Sequence, residues 1–184
     1  MRHWDDTWIE IAQVIALRSL CSRARVGVVI VSAENRIVST GYNGPPRAFK
    51  HNERPCAEWC ERGRTNGEIQ TCRAAHAEQN AFMAADRSAW QGGTLYVTGH
   101  VCTECTKLIA NSGLTRVVVQ PDNEPRAYRN SDDSYNFLGE MGVCVEILER
   151  AAPPYPDTLA TVCMGGAEMI QVRTIGGQWM NVTR

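Results

Sequence analysis

Two short motifs constrain this chain more than any other feature: a histidine and a glutamate at His76 and Glu78, and a pair of cysteines at Cys102 and Cys105. One imidazole and two thiolates are ligands that zinc prefers in proteins. Structural zinc sites are usually closed by four protein ligands, whereas catalytic sites keep one position open. Glu78 comes two residues after the histidine, so it can lie near the metal without being a ligand. The motifs therefore predict a catalytic zinc with Glu78 as a proton carrier.

The placement of both motifs at helix starts supports this interpretation. Residues three apart on a helix share a face, so the thiolates of Cys102 and Cys105 can point at one metal ion. A helix N-terminus also favours a thiolate over a thiol. Bound zinc lowers the pKa of water towards ~7 and so makes hydroxide available at neutral pH. The alternative is a structural zinc knuckle that is completed by a fourth ligand, for which Glu78 would have no purpose.

The composition limits the partners of the chain. It has 184 residues, enough for one domain with a substantial core, and a formal net charge of -1 from 19 basic and 20 acidic residues. This balance gives no bulk attraction to a nucleic-acid backbone, so we expect no polynucleotide partner. No apolar run approaches the ~20 residues that span a bilayer, and the N-terminus lacks an apolar signal core. We expect no membrane partner and a cytoplasmic location.

Hydrophobic periodicity predicts an α/β fold. Helices alternate with short β-branched strands, which favours a three-layer α/β/α sandwich around a mixed, mostly parallel five-stranded sheet. We predict one domain over residues 1–150 and a C-terminal extension of unknown role over residues 151–184. In this extension we expect short strands beyond Thr158 and turns at Gly165-Gly166 and Gly176-Gly177. The predicted elements are helices at Asp5–Ser19, Ala74–Ala85, Glu104–Asn111 and Ser134–Met141, and strands at Val26–Val31, Arg36–Gly41, Thr94–Val97, Arg116–Val119 and Val143–Leu148.

Between Trp8 and Leu148 the chain resembles the deoxycytidylate (dCMP) deaminases of the cytidine deaminase superfamily. The segments that carry the resemblance are Cys21–Val31, Gly41–Gly44, His76–Ala81, Cys102–Ile109 and Ser112–Leu114. The resemblance implies a cytidine deaminase-like fold and zinc-dependent hydrolysis of dCMP to dUMP and ammonia, which supplies thymidylate precursor. It also implies a homo-oligomer, a hexamer or a dimer, and regulation by dCTP and dTTP with Mg2+.

The resemblance also assigns roles to individual residues. His76, Cys102 and Cys105 become zinc ligands and Glu78 becomes the proton shuttle. Four residues are predicted to bind substrate and two to form a regulatory nucleotide turn. The substrate residues are Asn43, Ala77, Arg87 and His100, and the turn residues are Tyr42 and Gly44.

For two of these residues, Arg87 and His100, an explanation without a role in substrate binding stays open. Arg87 is tied to substrate phosphate and the subunit interface by the resemblance, but a solvated arginine paired with Asp86 fits the same position. His100 and Val101 precede Cys102 where the family usually has a proline directly before the cysteine. His100 either borders the base pocket, which leaves a 5-substituted dCMP open as a substrate, or is a partly exposed loop histidine.

A second zinc is predicted in the polar segment between Arg47 and Arg73, because a closed metal site would supply energy to order so long a loop. Several family members hold a structural zinc with ligands from these regions. Reduced thiols on a surface loop are the alternative. The ligand candidates are Cys56, Cys60 and Cys72, with Cys21 or His51 as the fourth.

Three rival functions stay open at this point. The first is a free-base or nucleoside deaminase, which would differ from a nucleotide deaminase in showing no selectivity for the substrate phosphate. A polynucleotide deaminase acting on tRNA or single-stranded DNA would show a basic stripe with stacking aromatics, and the acidic residues near Arg47 and Arg54 offset such a stripe. A catalytically inactive nucleotide-sensing zinc module would have no chemical need for Glu78.

Overall fold

The computed structural model describes residues 3–21, 23–47, 72–121 and 131–148, and the strands at 158–159, 170–174 and 179–182. The chain divides into two compact units, Met1–Glu149 and Arg150–Arg184. The helices are α1 (Trp4–Ala16), α2 (Ala77–Phe82), α3 (Arg87–Trp90), α4 (Thr103–Ser112) and α5 (Ser131–Glu140). The strands are β1 (Gly27–Val31), β2 (Ile37–Tyr42), β3 (Thr94–Val97), β4 (Arg116–Val119), β5 (Cys144–Ile147), β6 (Thr158–Leu159), β7 (Ile170–Thr174) and β8 (Trp179–Val182).

The first unit contains a mixed five-stranded sheet in the order β2-β1-β3-β4-β5. Strand β1 is antiparallel to both of its neighbours, whereas β3, β4 and β5 pair in parallel. Four strands therefore run in one direction and β1 runs in the other, so the prediction of a mixed, mostly parallel α/β sheet is confirmed. The carboxyl ends of β2, β3, β4 and β5 meet at one edge, the usual place for a site in an open α/β sheet.

Helices cover both faces of this sheet. On one face, residues of α2, α4 and α5 pack on alternate strand residues such as Val28, Leu95 and Val117, all fully buried. On the other face, α1 packs through Trp8 and Ala12 on Val29, Val31, Tyr96 and Val118. Because β1 is buried on both faces, it is a continuous apolar run rather than an alternating one.

The positions of most elements agree with the prediction, but one helix differs. The predicted helix at Ala74–Ala85 is shorter in the structure, and a separate turn of helix, α3, follows it. The chain turns at residues 83–85 and Asp86 becomes the N-cap residue of α3. Periodic alanines predict a helix but carry no signal for where it ends.

The C-terminal unit contains a separate antiparallel sheet in the order β6-β7-β8. Its register pairs Ile170 with Val182 and Thr158 with Thr174. Short strands were expected in this segment, and they are present. The turns expected at Gly165-Gly166 and Gly176-Gly177 lie outside the described residues. No helix in the described part of the chain combines the length and the apolar character needed to cross a membrane.

A polar network lies between α1 and the sheet, on the face away from α2. Asp5 is buried and accepts two hydrogen bonds of 2.8 Å from Arg116, one at each carboxylate oxygen. The hydroxyl of Tyr96 donates to Asp5 over 2.7 Å, and Arg116 also bonds Glu146 on β5. The hydrogen bonds from Arg116 lower the pKa of Asp5 to about 2. This network ties α1 to three strands.

Replacing Asp5 with asparagine is expected to lower the free energy of unfolding by about 2 kcal/mol at pH 7. The pKa of Asp5 is depressed on folding, so the stabilisation is present above pH ~4 and is lost as the pH falls towards 2. Urea denaturation of the wild type and Asp5→Asn at pH 7 and pH 3 checks this, because the difference between them must shrink at pH 3. Glu140→Gln, at an exposed position on α5, is the control and should change little at either pH. A constant Asp5→Asn deficit would contradict the charge-based explanation.

Candidate metal centre

The structure brings His76, Cys102 and Cys105 together at the carboxyl edge of the sheet. Nδ1 of His76 lies 3.3 Å from Sγ of Cys102 and 3.4 Å from Sγ of Cys105. Ligand atoms around a tetrahedral zinc with ordinary bond lengths lie about 3.5 to 3.8 Å apart. Within the described ranges, no other group of three such side chains is close enough to share a metal ion. One imidazole and two thiolates at this spacing fit zinc.

The start of α4 positions the two sulfur ligands. Cys102 is the N-cap residue, with an extended backbone, and its carbonyl accepts the Thr106 N–H over 2.9 Å. Cys105 is the third helical residue and is fully buried. Both sulfur atoms therefore lie at the positive end of the helix, where a thiolate is stabilised.

The start of α2 positions His76. Its backbone N–H donates to Oε1 of Gln79 over 2.8 Å, which caps the helix and fixes the extended conformation of the histidine. The preceding residue, Ala75, pairs with Gly44 through two backbone hydrogen bonds of 2.9 and 3.1 Å. Gly41 lies so close to α2 that a Cβ atom there would collide with the backbone of the helix. The end of β2 thus holds the start of α2 in place.

Asn43 fastens the turn after β2 to the chain that enters β1. Its side-chain oxygen accepts the N–H of Val26 over 2.8 Å, and its Nδ2 donates to the carbonyl of Ala24 over 2.9 Å. Ser19 donates to the Asn43 carbonyl over 2.7 Å. The side chain predicted to contact substrate is therefore engaged in holding the turn.

The two neighbours of Asn43 in the turn differ in exposure. The side chain of Tyr42 is exposed, and its carbonyl accepts a hydrogen bond of 2.7 Å from Asn80 of α2. Gly44 is buried against Ala75. Ala77, the first residue of α2, is fully buried in the core beneath the turn.

The Glu78 side chain is buried beside the three ligands. Only 4% of Glu78 is exposed, and its carboxyl group contacts the thiol of Cys105. Burial raises the pKa of Glu78, because the charged form loses solvation. A bound zinc ion would act in the opposite direction. Burial and a bound zinc ion would therefore shift the pKa of Glu78 in opposite directions, and a carboxyl group balanced in this way can both accept and return a proton.

The two thiols are strongly coupled. The hydrogen bond from Cys105 lowers the pKa of Cys102 to about 4. The same hydrogen bond, followed by burial, raises the pKa of Cys105 well above its ordinary value. Cys102 is therefore ready to bind as a thiolate, whereas Cys105 gives up its proton only when a cation replaces it.

Arg87 lies at the other end of α4 from the sulfur atoms. Its Nε donates to the carbonyl of Ser112 over 3.0 Å, and Nε1 of Trp90 donates to the same oxygen over 3.3 Å. A ten-residue helix is about 15 Å long, so Arg87 is separated from the metal centre of its own chain by that length. The alternative to phosphate binding was an ion pair of Arg87 with Asp86, and the contacts of the described residues do not include that pair.

The residues predicted for a second zinc are described only in part. Cys21 and Cys72 are both half-buried and form no disulfide. The other candidates, Cys56, Cys60 and His51, lie outside the described residues. The second site therefore stays a prediction.

One aromatic residue at this edge was not singled out from the sequence. Tyr135 of α5 contacts His100, which precedes the sulfur ligands. No spacing rule links these two residues, because α5 reaches the β3–α4 connection only in the folded protein. A tyrosine in a helical period is indistinguishable from an ordinary core residue.

Replacing Cys102 with alanine is expected to remove one zinc ion per chain, because two protein ligands bind zinc far more weakly than three. Elemental analysis of purified protein by mass spectrometry measures this directly. Cys144→Ala, which removes an exposed thiol on β5, is the matched control and should keep the wild-type zinc content. Unchanged zinc in Cys102→Ala would exclude Cys102 as a ligand.

The sequence of this chain is similar to that of known deaminases. Residues 2–120 match the family described as the cytidine and deoxycytidylate deaminase zinc-binding region. A deoxycytidylate deaminase of Mycobacterium phage D29 is 40% identical over 125 residues, which cover 62% of this chain and 92% of that protein. The deoxycytidylate deaminase of Saccharomyces cerevisiae is 34% identical over 143 residues, covering 77% of this chain but only 44% of the yeast protein.

A solved structure is similar to this chain in its fold. The dCMP deaminase of cyanophage S-TIM5, crystallised with dCMP and dUMP, superposes with a TM-score of 0.59 and 27% sequence identity. The match covers 78% of this chain and 95% of that one. The predicted cytidine deaminase-like fold is confirmed, and the chain belongs to the cytidine and deoxycytidylate deaminase family.

Proposed function

We propose that this protein hydrolyses dCMP to dUMP and ammonia. The observation that carries the proposal is the buried carboxyl group of Glu78, which lies against a His-Cys-Cys cluster spaced for zinc. A structural zinc site needs no such carboxyl group, whereas hydrolytic deamination needs a proton carrier at the metal. The relatives named as deoxycytidylate deaminases support dCMP as the substrate.

The reaction exchanges an amino group for an oxygen at C4 of cytosine. His76, Cys102 and Cys105 would hold a zinc ion, and the bound ion would supply hydroxide at neutral pH. Glu78 accepts the proton that water gives up and delivers it to N3 of the ring, which makes C4 more electrophilic. As the hydroxide oxygen bonds to C4, Glu78 takes the remaining proton of that oxygen and passes it to the amino group. The C4–N bond then breaks, ammonia leaves and a carbonyl remains at C4. Burial keeps bulk water away from the carboxyl group, so the proton is passed to the substrate.

The polynucleotide alternative is not favoured. The relatives reported above are named for a mononucleotide substrate. An inactive nucleotide-sensing module is also not favoured, because Glu78 remains buried at the cluster although its charge is costly there.

Several finer features belong to the same proposal. We propose that 5-substituted dCMP is also accepted, that the product supplies thymidylate synthesis, and that the protein is a homo-oligomer. We further propose a second, structural zinc that is bound by Cys56, Cys60 and Cys72, with Cys21 or His51 as the fourth ligand. We also propose that dCTP and dTTP, with Mg2+, regulate the protein by binding at the turn of Tyr42 and Gly44. Metal analysis that returned one zinc per chain for the wild type would remove the second site.

The function is tested by measuring ammonia release from CMP, dCMP, 5-methyl-dCMP and dCTP. We expect dCMP to have the highest kcat/KM. Glu78→Gln should retain zinc and the wild-type melting temperature but lose at least ~10²-fold in kcat, the usual contribution of general acid–base catalysis. Loss of zinc from Glu78→Gln would show that Glu78 is a ligand instead. An inactive wild type with full zinc occupancy would contradict the proposed function.

We also propose that Arg87 binds the substrate phosphate of a neighbouring subunit, because it is a helix length away from the centre of its own chain. A desolvated phosphate favours arginine, which offers paired donors. Arg87→Ala should raise KM for dCMP at least tenfold and leave the activity on deoxycytidine unchanged. Arg36→Ala, at an exposed position beside β2, is the control. Equal losses on nucleotide and nucleoside, or no loss on either, would exclude Arg87 from phosphate binding.

A further inference from the structure

His100 and Tyr135 form a contact that neither the zinc ligands nor Glu78 requires. Nδ1 of His100 lies 2.8 Å from the hydroxyl oxygen of Tyr135, and the two rings stack with centroids 6.1 Å apart and planes 26° apart. Both residues are half-buried. The hydrogen bond restrains rotation of the imidazole ring, and the ring stack restrains its tilt.

This pair lies on the same face of the sheet as the metal centre. His100 is in the connection from β3 to α4, two residues before Cys102. The intervening Val101 is buried in the core that contains Cys105, and Tyr135 packs against that same core. The pair therefore stands beside the sulfur ligands, between the start of α4 and helix α5.

The hydrogen bond has a chemical consequence for the histidine. A tyrosine hydroxyl can donate to Nδ1 or accept from it, so the bond to Tyr135 holds the plane of the His100 ring in either tautomer. An imidazole with a fixed ring plane can recognise a ligand at little entropic cost.

We propose that Tyr135 is a positioning residue of the substrate cleft, which holds the His100 ring beside the zinc ligands in one orientation for contact with the pyrimidine nucleotide. The inference rests on the proposed deamination of dCMP and adds a residue to its substrate recognition. Tyr135 itself need not touch the nucleotide, since its effect passes through His100.

A double-mutant cycle tests this proposal. Tyr135→Phe removes the hydroxyl and keeps the ring, and it should raise KM for dCMP about fivefold, as expected for one neutral hydrogen bond, with kcat within about twofold. His100→Ala should raise KM by at least as much. The double variant should match His100→Ala alone, because the proposed effect of the hydroxyl passes through the His100 ring. The zinc content should be unchanged in all three.

Tyr96→Phe is the matched control, because it removes a hydroxyl that bonds Asp5 on the opposite face of the sheet. It should lower the melting temperature and leave KM unchanged. The Nδ1 chemical shift of His100, measured by NMR, should change in Tyr135→Phe, which loses the hydrogen bond, and stay at its wild-type value in Tyr96→Phe.

The outcomes separate the two proposals. An unchanged KM in Tyr135→Phe, or an effect that persists in the His100→Ala background, would overturn the positioning role while the deaminase function stands. A zinc-loaded wild type with no activity on dCMP would overturn both.

Discussion

The metal centre depends on the contact between the end of β2 and the start of α2. Three features produce this contact: the backbone pairing of Gly44 with Ala75, the missing side chain at Gly41, and the hydrogen bond from the Asn80 side chain to the carbonyl of Tyr42. Because α2 has only six residues, its own hydrogen bonds could not hold it in a fixed place. The contact therefore sets where His76 and Glu78 lie relative to the start of α4.

The two halves of the centre are stabilised in different ways. The histidine half is fixed by the turn after β2, which Asn43 in turn ties to the entry of β1. The cysteine half is fixed by α4, whose far end is capped by Gly113 in the left-handed conformation and accepts hydrogen bonds from Arg87 and Trp90. The central strands β1 and β3 lie between these two supports. A ligand set assembled from separate elements gains its precision from the sheet, not from any one loop.

Charge is distributed unequally between the two faces of the sheet. On the α1 face, buried Asp5 accepts two hydrogen bonds from the half-buried Arg116, so the burial of the Asp5 charge is compensated. On the opposite face, the carboxyl group of Glu78 lies beside His76 and the two thiols, and burial raises its pKa. The first arrangement stabilises the fold. The second leaves a titratable group whose protonation can change during a reaction, which is typical of functional sites.

Local sequence patterns were enough to predict the fold class and the side chains of the candidate centre. The alternation of β-branched strands with helices predicted the α/β sheet. The two motifs predicted three candidate ligands and a carboxyl group, because ligand type and helix-end position are local properties. The short helix α3 was not predicted, since periodicity carries no signal for helix ends. The folded chain was needed to see that Arg87 lies at the far end of α4, that Asn43 holds a turn, and that Tyr135 contacts His100. These contacts join residues that are distant in the chain, and no local pattern encodes which distant side chains will meet.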